Sequence, residues 1–200
     1  MNSYKTISGI VEGSYKEKGS KFLSFAYPVD SLDEVGKHID ALKRKYYDAR
    51  HHCYAYMLGM GEQDFRANDD GEPTHSAGDP ILGQIRSYEL TNVLVVVVRY
   101  FGGIKLGVGG LINAYKTATS NALKSAHIIR TYPQIAFNVR FSYAATSEIE
   151  RLLSQFHIHY DQKTYEEDCI YEGRIRESEF SILMKEASLL AEVEVTKVDL

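Results

Sequence analysis

The hydrophobic and polar positions along the chain predict strands and helices that follow one another closely. Three apolar or aromatic segments of strand length occupy residues 4–12, 20–29 and 52–58. Between the second and the third, Ser31 and Glu34 match a capping box, in which each side chain accepts a backbone N–H of the first helical turn. Apolar residues then recur at spacings of three and four as far as Leu42. This spacing predicts a helix with one apolar face.

The centre of the chain carries a continuous apolar, mostly β-branched run, residues 93–98. Such a run is typical of a strand that is buried on both faces of its sheet. A glycine-rich stretch follows it, and the pattern then predicts a helix from about 111 to 126. Upstream, Gly, Asn, Asp and Pro cluster over residues 60–75, which predicts a loop, and residues 76–88 are a predicted short helix.

Pro133 marks a predicted domain boundary. After it, the pattern predicts strands at 135–143, 158–165, 169–176 and 193–199, and helices at 146–156 and 178–190. This βαββαβ order is the ferredoxin-like split βαβ pattern, which by itself identifies no function. We therefore predict an α+β protein of two domains, residues 1–131 and 132–200.

Charge is distributed unevenly between the two predicted domains. The net charge is −4, but residues 1–130 carry 16 Lys and Arg against 14 Asp and Glu, whereas residues 131–200 carry 7 against 13. Since affinity for phosphate comes from Lys and Arg, a phosphate-binding site is expected in the first domain. We expect a cytoplasmic protein, because two cysteines make no disulfide framework and no apolar stretch has the length of a membrane span or a signal peptide.

The stretch from Arg99 to Leu111 is the first candidate for chemistry, because it joins the predicted central strand to a helix. Its five glycines free the backbone for close approach to a ligand, and Arg99 and Lys105 add positive charge. A helix N-terminus adds unpaired N–H groups, so together these features predict an anion site. The alternative is a tight turn that needs glycine for packing alone. The glycines are Gly102, Gly103, Gly107, Gly109 and Gly110.

A second candidate is the segment 66–78, where Asp69, Asp70, Glu72 and His75 lie within a few residues of Arg66. One interpretation is a surface turn in which a carboxylate caps the next helix. A second is contact with RNA or another partner, and a third is a hard-metal or acid–base site.

Cys53 raises a separate alternative. On a strand it shares a face with His51, so the pair could be a nucleophile or part of a zinc site. A buried, inert cysteine is the competing interpretation.

Four motifs together resemble the IMPACT/YigZ family. The first is the run from Asn92 through Arg99-Tyr100-Phe101-Gly102-Gly103 to Gly107, and the second is Asp69-Asp70-Gly71-Glu72-Pro73. The others are His52-Cys53-Tyr54-Ala55-Tyr56 and Lys18-Gly19-Ser20-Lys21-Phe22. They occur in the family's order and cover roughly residues 15–126.

The resemblance implies an N-terminal α/β sandwich like the second domain of a small-subunit ribosomal protein, and a C-terminal ferredoxin-like domain. It also implies a role in translation, with RNA, the ribosome or a translation-associated protein as partner, and no cofactor or metal. A binding protein is favoured over an enzyme, and no oligomeric state is favoured. The anion site of such a binding protein would comprise Lys21, Arg66 and the glycine-rich stretch. The alternatives are a metal-dependent hydrolase or small-molecule phosphotransferase built from the acidic loop, and a protein–protein adaptor.

Overall fold

The computed structural model describes residues 3–60 and 64–198, and these divide into two compact units. One unit is Tyr4–Thr131. The other runs from Tyr132 onward and includes Ser3. In the described residues no helix is both long and apolar enough to cross a membrane.

The first unit contains seven strands and three helices within its described residues. The strands are β1 (Tyr4–Ile7), β2 (Val11–Glu17), β3 (Ser20–Pro28), β4 (His51–Leu58), β5 (Asp64–Asn68), β6 (Val93–Tyr100) and β7 (Ile128–Thr131). The helices are α1 (Leu32–Lys45), α2 (Gly78–Ser87) and α3 (Gly107–Lys124).

Five of these strands form an antiparallel sheet in the order β2-β3-β6-β4-β5, while β1 and β7 pair separately. The central strand β6 has no exposed surface from Val93 to Val98. The prediction that this run is buried on both faces is therefore confirmed, because helices cover both sides of the sheet.

Each face of the sheet has its own core. Helix α1 contributes Val35, Ile39 and Leu42 to one core. Helices α2 and α3 contribute to the other. The small residues of α3 allow close packing: a Cβ at Gly13 of β2 would lie 2.4 Å from the backbone nitrogen of Ala122.

The capping box is confirmed, with one change of partner. Ser31 accepts the N–H of Glu34 at 3.3 Å, as predicted. The carboxylate of Glu34 accepts the N–H of Asp30 at 2.8 Å instead of that of Ser31.

Three boundaries in the first unit were predicted wrongly. The predicted strand 4–12 is two strands, β1 and β2, with different partners. The predicted loop 60–75 contains strand β5, which pairs with β4, while its residues 61–63 lie outside the described part of the chain. Helix α3 begins at Gly107 and not near 111.

The second unit follows the predicted βαββαβ order. Its elements are β8 (Gln134–Phe141), α4 (Thr146–Leu153), β9 (Ile158–Tyr165), β10 (Cys169–Arg176), α5 (Glu177–Ala187) and β11 (Val193–Val198), with a 3₁₀ turn at Tyr143–Ala145. The strands form an antiparallel sheet in the order β11-β8-β10-β9. Ile149 and Leu183 of the helices share one core with Phe137, Val139 and Tyr171 of the strands. Residue 199 of the last predicted strand lies outside the described residues.

Candidate functional site

The acidic segment and the glycine-rich stretch line a single cleft in the first unit. The cleft has a volume of about 430 Å³. Glu72 and Pro73 of the acidic segment face residues of the stretch that follows β6, and the start of β4 completes the wall. The lining residues are Arg50, His51, Glu72, Pro73, Arg99, Phe101, Lys105, Leu106, Gly107, Val108 and Leu111.

Helix α3 presents its N-terminus to this cleft through Gly107 and Val108. Leu106, at the N-cap position, forms no capping hydrogen bond through its side chain, and the first turn of the helix contains no acidic residue. The first N–H groups of a helix have no partner within the helix, and the helix dipole places partial positive charge there. This wall of the cleft is therefore suited to an anion.

The predicted glycines divide into two groups by their backbone roles. Gly102 is a packing glycine: its N–H donates to Ser20 Oγ at 3.1 Å, and a Cβ there would lie 1.9 Å from the carbonyl carbon of Gly19. Gly103 and Gly107 have φ angles of +88° and +72°, which side chains rarely adopt. Turn geometry and packing therefore explain these three glycines, while the anion site at this stretch stays a prediction.

Gly109 and Gly110 form part of the first turn of α3, where the sequence pattern predicted a loop. A Cβ at Gly109 would meet no neighbouring atom within 4 Å, so packing does not require glycine at this position.

Arg99 has an internal anionic partner that the sequence did not predict. Its Nη1 donates to Glu72 Oε1 at 2.5 Å, and the two side chains are only 7% and 4% exposed. The guanidinium carbon lies 5.4 Å from the ring centre of Phe22 and 5.6 Å from that of Phe101. The Nε atom is buried and has no acceptor in the described part of the chain. Arg99 therefore builds the wall of the cleft, and Glu72 offsets its charge.

The ion pair continues into the core through a tyrosine. The Tyr115 hydroxyl donates to Glu72 Oε1 at 2.8 Å, and Cys53 Sγ lies 3.2 Å from the same hydroxyl. Burial raises the pKa of the Cys53 thiol far above its ordinary value, so this thiol stays protonated. The structure thus favours the inert, buried cysteine over a nucleophile.

Asp69 acts as the cap of helix α2. Its carboxylate accepts the N–H groups of His75, Ala77 and Gly78 at 2.8, 2.9 and 2.8 Å. Burial alone would raise the pKa of this carboxyl, but the three donors outweigh that effect and lower it. The interpretation of this segment as a turn that caps the next helix is confirmed for Asp69.

The other charged groups of the acidic segment also have local partners. Asp70 accepts the N–H of His52 at 2.6 Å, and His75 Nδ1 lies 2.6 Å from Asp79 Oδ2. Among residues 3–60 and 64–198, no three His, Cys, Asp or Glu side chains are placed to hold a metal ion.

Lys21 and Arg66 do not line the cleft. Successive side chains of a strand point to opposite faces, and the neighbouring Phe22 and Ala67 pack into the core that α2 and α3 share. Lys21 and Arg66 therefore lie on the α1 face of the sheet. The structure separates these two cations from Lys105, which the sequence analysis had grouped with them.

Arg50, His51, Phe101 and Val108 line the cleft, although the sequence analysis did not place them in the anion site. His51 lies opposite Arg99 in the pairing of β4 with β6. The alternation of side chains along β4 predicts that His51 shares a face with Cys53, but it does not predict that His51 lies beside Arg99. Only the register of the two strands brings them together.

The fold and the cleft define an α+β protein with a positively charged cleft in the first of its two units. Residues 18–123 match the family model described as the Impact N-terminal domain.

Similar proteins match more of the chain than the family model does. The chain is 31% identical to the IMPACT family member YvyE of Bacillus subtilis over 90% of this chain and 82% of that protein. It is 34% identical to the IMPACT family member YigZ of Escherichia coli over 69% of each. A crystal structure of a hypothetical protein aligns over 100% of this chain and 98% of its own, with a TM-score of 0.72 and 25% identity. The chain belongs to the IMPACT family.

Proposed function

We propose that this protein is a non-enzymatic, cytosolic binding protein that acts on translation by docking RNA in the cleft of its first unit. The supporting observation is that Arg50, Lys105 and the uncapped N-terminus of α3 meet in one cleft. Phosphate groups are bound by Lys and Arg side chains and by the N-termini of helices. The role in translation is what the resemblance to the IMPACT family implies.

The balance of charge in the cleft supports an anionic partner. Arg50, Arg99 and Lys105 face a single carboxylate, that of Glu72, which is already bound to Arg99. Arg50 and Lys105 are both exposed, so they can reach the backbone of an approaching nucleic acid. Lys21 and Arg66, on the other face of the sheet, are proposed only as further contacts with an extended RNA.

We also propose the finer architecture that the sequence suggested. The first unit would be a sandwich like the second domain of a small-subunit ribosomal protein, within residues 1–131. The second would be a ferredoxin-like domain, within residues 132–200. The order β11-β8-β10-β9 and the succession of strands and helices support the second assignment.

A charge reversal at Lys105 tests the docking site. We expect Lys105→Glu to weaken binding to ribosomes or ribosomal RNA by about 10-fold or more at low salt, because it replaces a phosphate-facing cation with an anion. The matched control is Lys124→Glu at the other end of α3, about 26 Å along the helix axis at 1.5 Å per residue. Ribosome pelleting and filter binding over a series of salt concentrations measure the affinities.

The salt series separates the possible outcomes. Affinity that falls steeply with salt, and falls less steeply in Lys105→Glu, supports RNA docking. Binding that is insensitive to salt, or that survives both nuclease treatment and the charge reversal, would favour a protein–protein adaptor and contradict the proposal.

A further inference from the structure

We infer that the cleft is a subsite for one nucleotide, whose phosphate lies at the N-terminus of α3 beside Lys105 and whose base packs on Phe101. The inference rests on the proposed function, because it names the chemical unit that the cleft recognises. The nucleotide can come from two sources, an unstacked unit of single-stranded RNA or a free mononucleotide.

The volume of the cleft is that of a small-molecule site. Sites for small molecules have volumes of about 300–1,000 Å³, and this cleft has a volume of about 430 Å³. A bare phosphate would leave most of that space empty. A base and its ribose are the parts of a nucleic acid that would fill it.

Exposed apolar surface lies beside the charged groups of the cleft. Phe101 is 51% exposed and Val108 is 52% exposed, although both are large apolar side chains. Leu106, Leu111 and Pro73 extend this surface within the same cleft. Binding of a phosphate group requires no apolar wall. A nucleic acid base, by contrast, stacks on an aromatic ring, and every type of base can do so. The cleft therefore offers surface to both parts of a nucleotide.

Arg99 supplies an observation independent of the helix end. Its side chain is more than nine-tenths buried in the wall of the cleft, and in the described residues its Nε–H has no acceptor. A buried donor without an acceptor is unfavourable, and such groups are found where a ligand or water supplies the missing partner. The same guanidinium lies under the Phe101 ring. We assign that acceptor to an oxygen of the nucleotide held against Phe101.

NMR titration of the full chain with AMP, adenosine and inorganic phosphate tests the inference. We expect AMP to shift the backbone amide signals of Gly107 and Val108 and to bind more tightly than either of its parts. In Phe101→Ala, the Kd for AMP should rise about 5- to 150-fold, the range that loss of one stacked base produces. The weaker binding of inorganic phosphate should not change. Lys105→Gln should weaken both ligands.

Two control variants match these changes in chemistry but lie outside the cleft. Phe65→Ala removes another half-exposed phenyl ring, on β5, and Lys124→Gln removes a charge at the C-terminal end of α3. Both should bind AMP like the wild type. Circular dichroism of each variant confirms that the fold is intact.

A single-stranded RNA of about ten nucleotides, the length that one binding groove covers, distinguishes the two sources. Binding of both AMP and the RNA, each weakened in Phe101→Ala, assigns the subsite to RNA. Binding of AMP without the RNA assigns it to a free nucleotide and contradicts RNA docking. RNA binding that needs Lys105 but not Phe101, with AMP no tighter than phosphate, would overturn the nucleotide subsite and leave the proposed function intact. Failure of both ligands would overturn both.

Discussion

At the scale of single residues, the most consequential contact is the buried ion pair of Arg99 and Glu72. It ties the strand before the glycine-rich stretch to the acidic segment, which lies 27 positions earlier in the chain. Tyr115 of α3 donates to the same carboxylate. One side chain, Glu72, therefore holds together the elements that frame the cleft.

We predict that Glu72→Ala destabilises the protein by about 3–5 kcal/mol, because it leaves the Arg99 charge buried without a counter-charge. The double variant Glu72→Leu with Arg99→Met should recover much of this loss, since no unpaired charge remains. Urea denaturation followed by circular dichroism measures the free energy of unfolding. If the free-energy loss of the double variant equals the sum of the losses of its two single variants, the two side chains do not act as a pair.

At the scale of elements, two helix starts differ in how their N–H groups are satisfied. The carboxylate of Asp69 accepts the N–H groups of Ala77 and Gly78 at the start of α2, and that of His75 just before it. At the start of α3, the N-cap residue Leu106 forms no capping hydrogen bond through its side chain. The acidic segment thus closes one helix N-terminus and leaves the neighbouring one open toward the cleft, which is why an anion site is proposed at α3 alone.

The cap at α2 predicts a pH-dependent contribution to stability. Because the pKa of Asp69 is lower in the folded chain than its ordinary value of 3.8, its ionised form stabilises the fold. At neutral pH, Asp69→Ala should cost about 1–2 kcal/mol. This difference from the wild type should shrink as the pH falls below about 4 toward the lowered pKa of the folded carboxyl, because the carboxylate is protonated first in the unfolded chain.

Thermal or urea unfolding from pH 7 down to pH 3 measures that difference. Asp40→Asn, an exposed change on α1, is the control, and its stability should follow that of the wild type. A deficit in Asp69→Ala that is constant over the whole range would contradict the role of the ionised cap.

At the scale of the whole molecule, each of the two units has its own hydrophobic core. The cleft belongs entirely to the first unit, Tyr4–Thr131. The excess of acidic over basic residues lies in the second part of the chain, which has 7 Lys and Arg against 13 Asp and Glu over residues 131–200. The anion-binding site that we propose therefore belongs to one unit only.

We predict that a fragment of residues 1–131 folds and binds RNA at least as tightly as the full chain, because the fragment retains the cleft and loses an acidic unit that repels phosphate. A fragment of residues 132–200 should not bind. Circular dichroism reports the folding of each fragment, and filter binding at matched ionic strength reports the affinity. RNA binding by the second fragment alone would contradict the assignment.

Elements with a regular pattern were predictable from the sequence. The central strand was predictable because a run of six apolar residues is stable only where both faces of the strand are shielded from water. The βαββαβ order of the second unit was recognised because each helix and strand has the hydrophobic period of its kind. Strand β5 was not predicted, since Asp64–Asn68 is short and mostly exposed, and pairing with β4 is what keeps it extended.

Local sequence patterns are enough to establish the fold class, the family motifs and the residue types of a candidate site. Which of these residues meet depends on the folded chain: His51 and Lys105 line one cleft, Lys21 and Arg66 lie on the other face of the sheet, and Arg99 pairs with Glu72. The difference arises because hydrophobic periodicity is a local property of the chain. Strand register and ion pairing depend on segments that are distant in sequence and come together only when the chain folds.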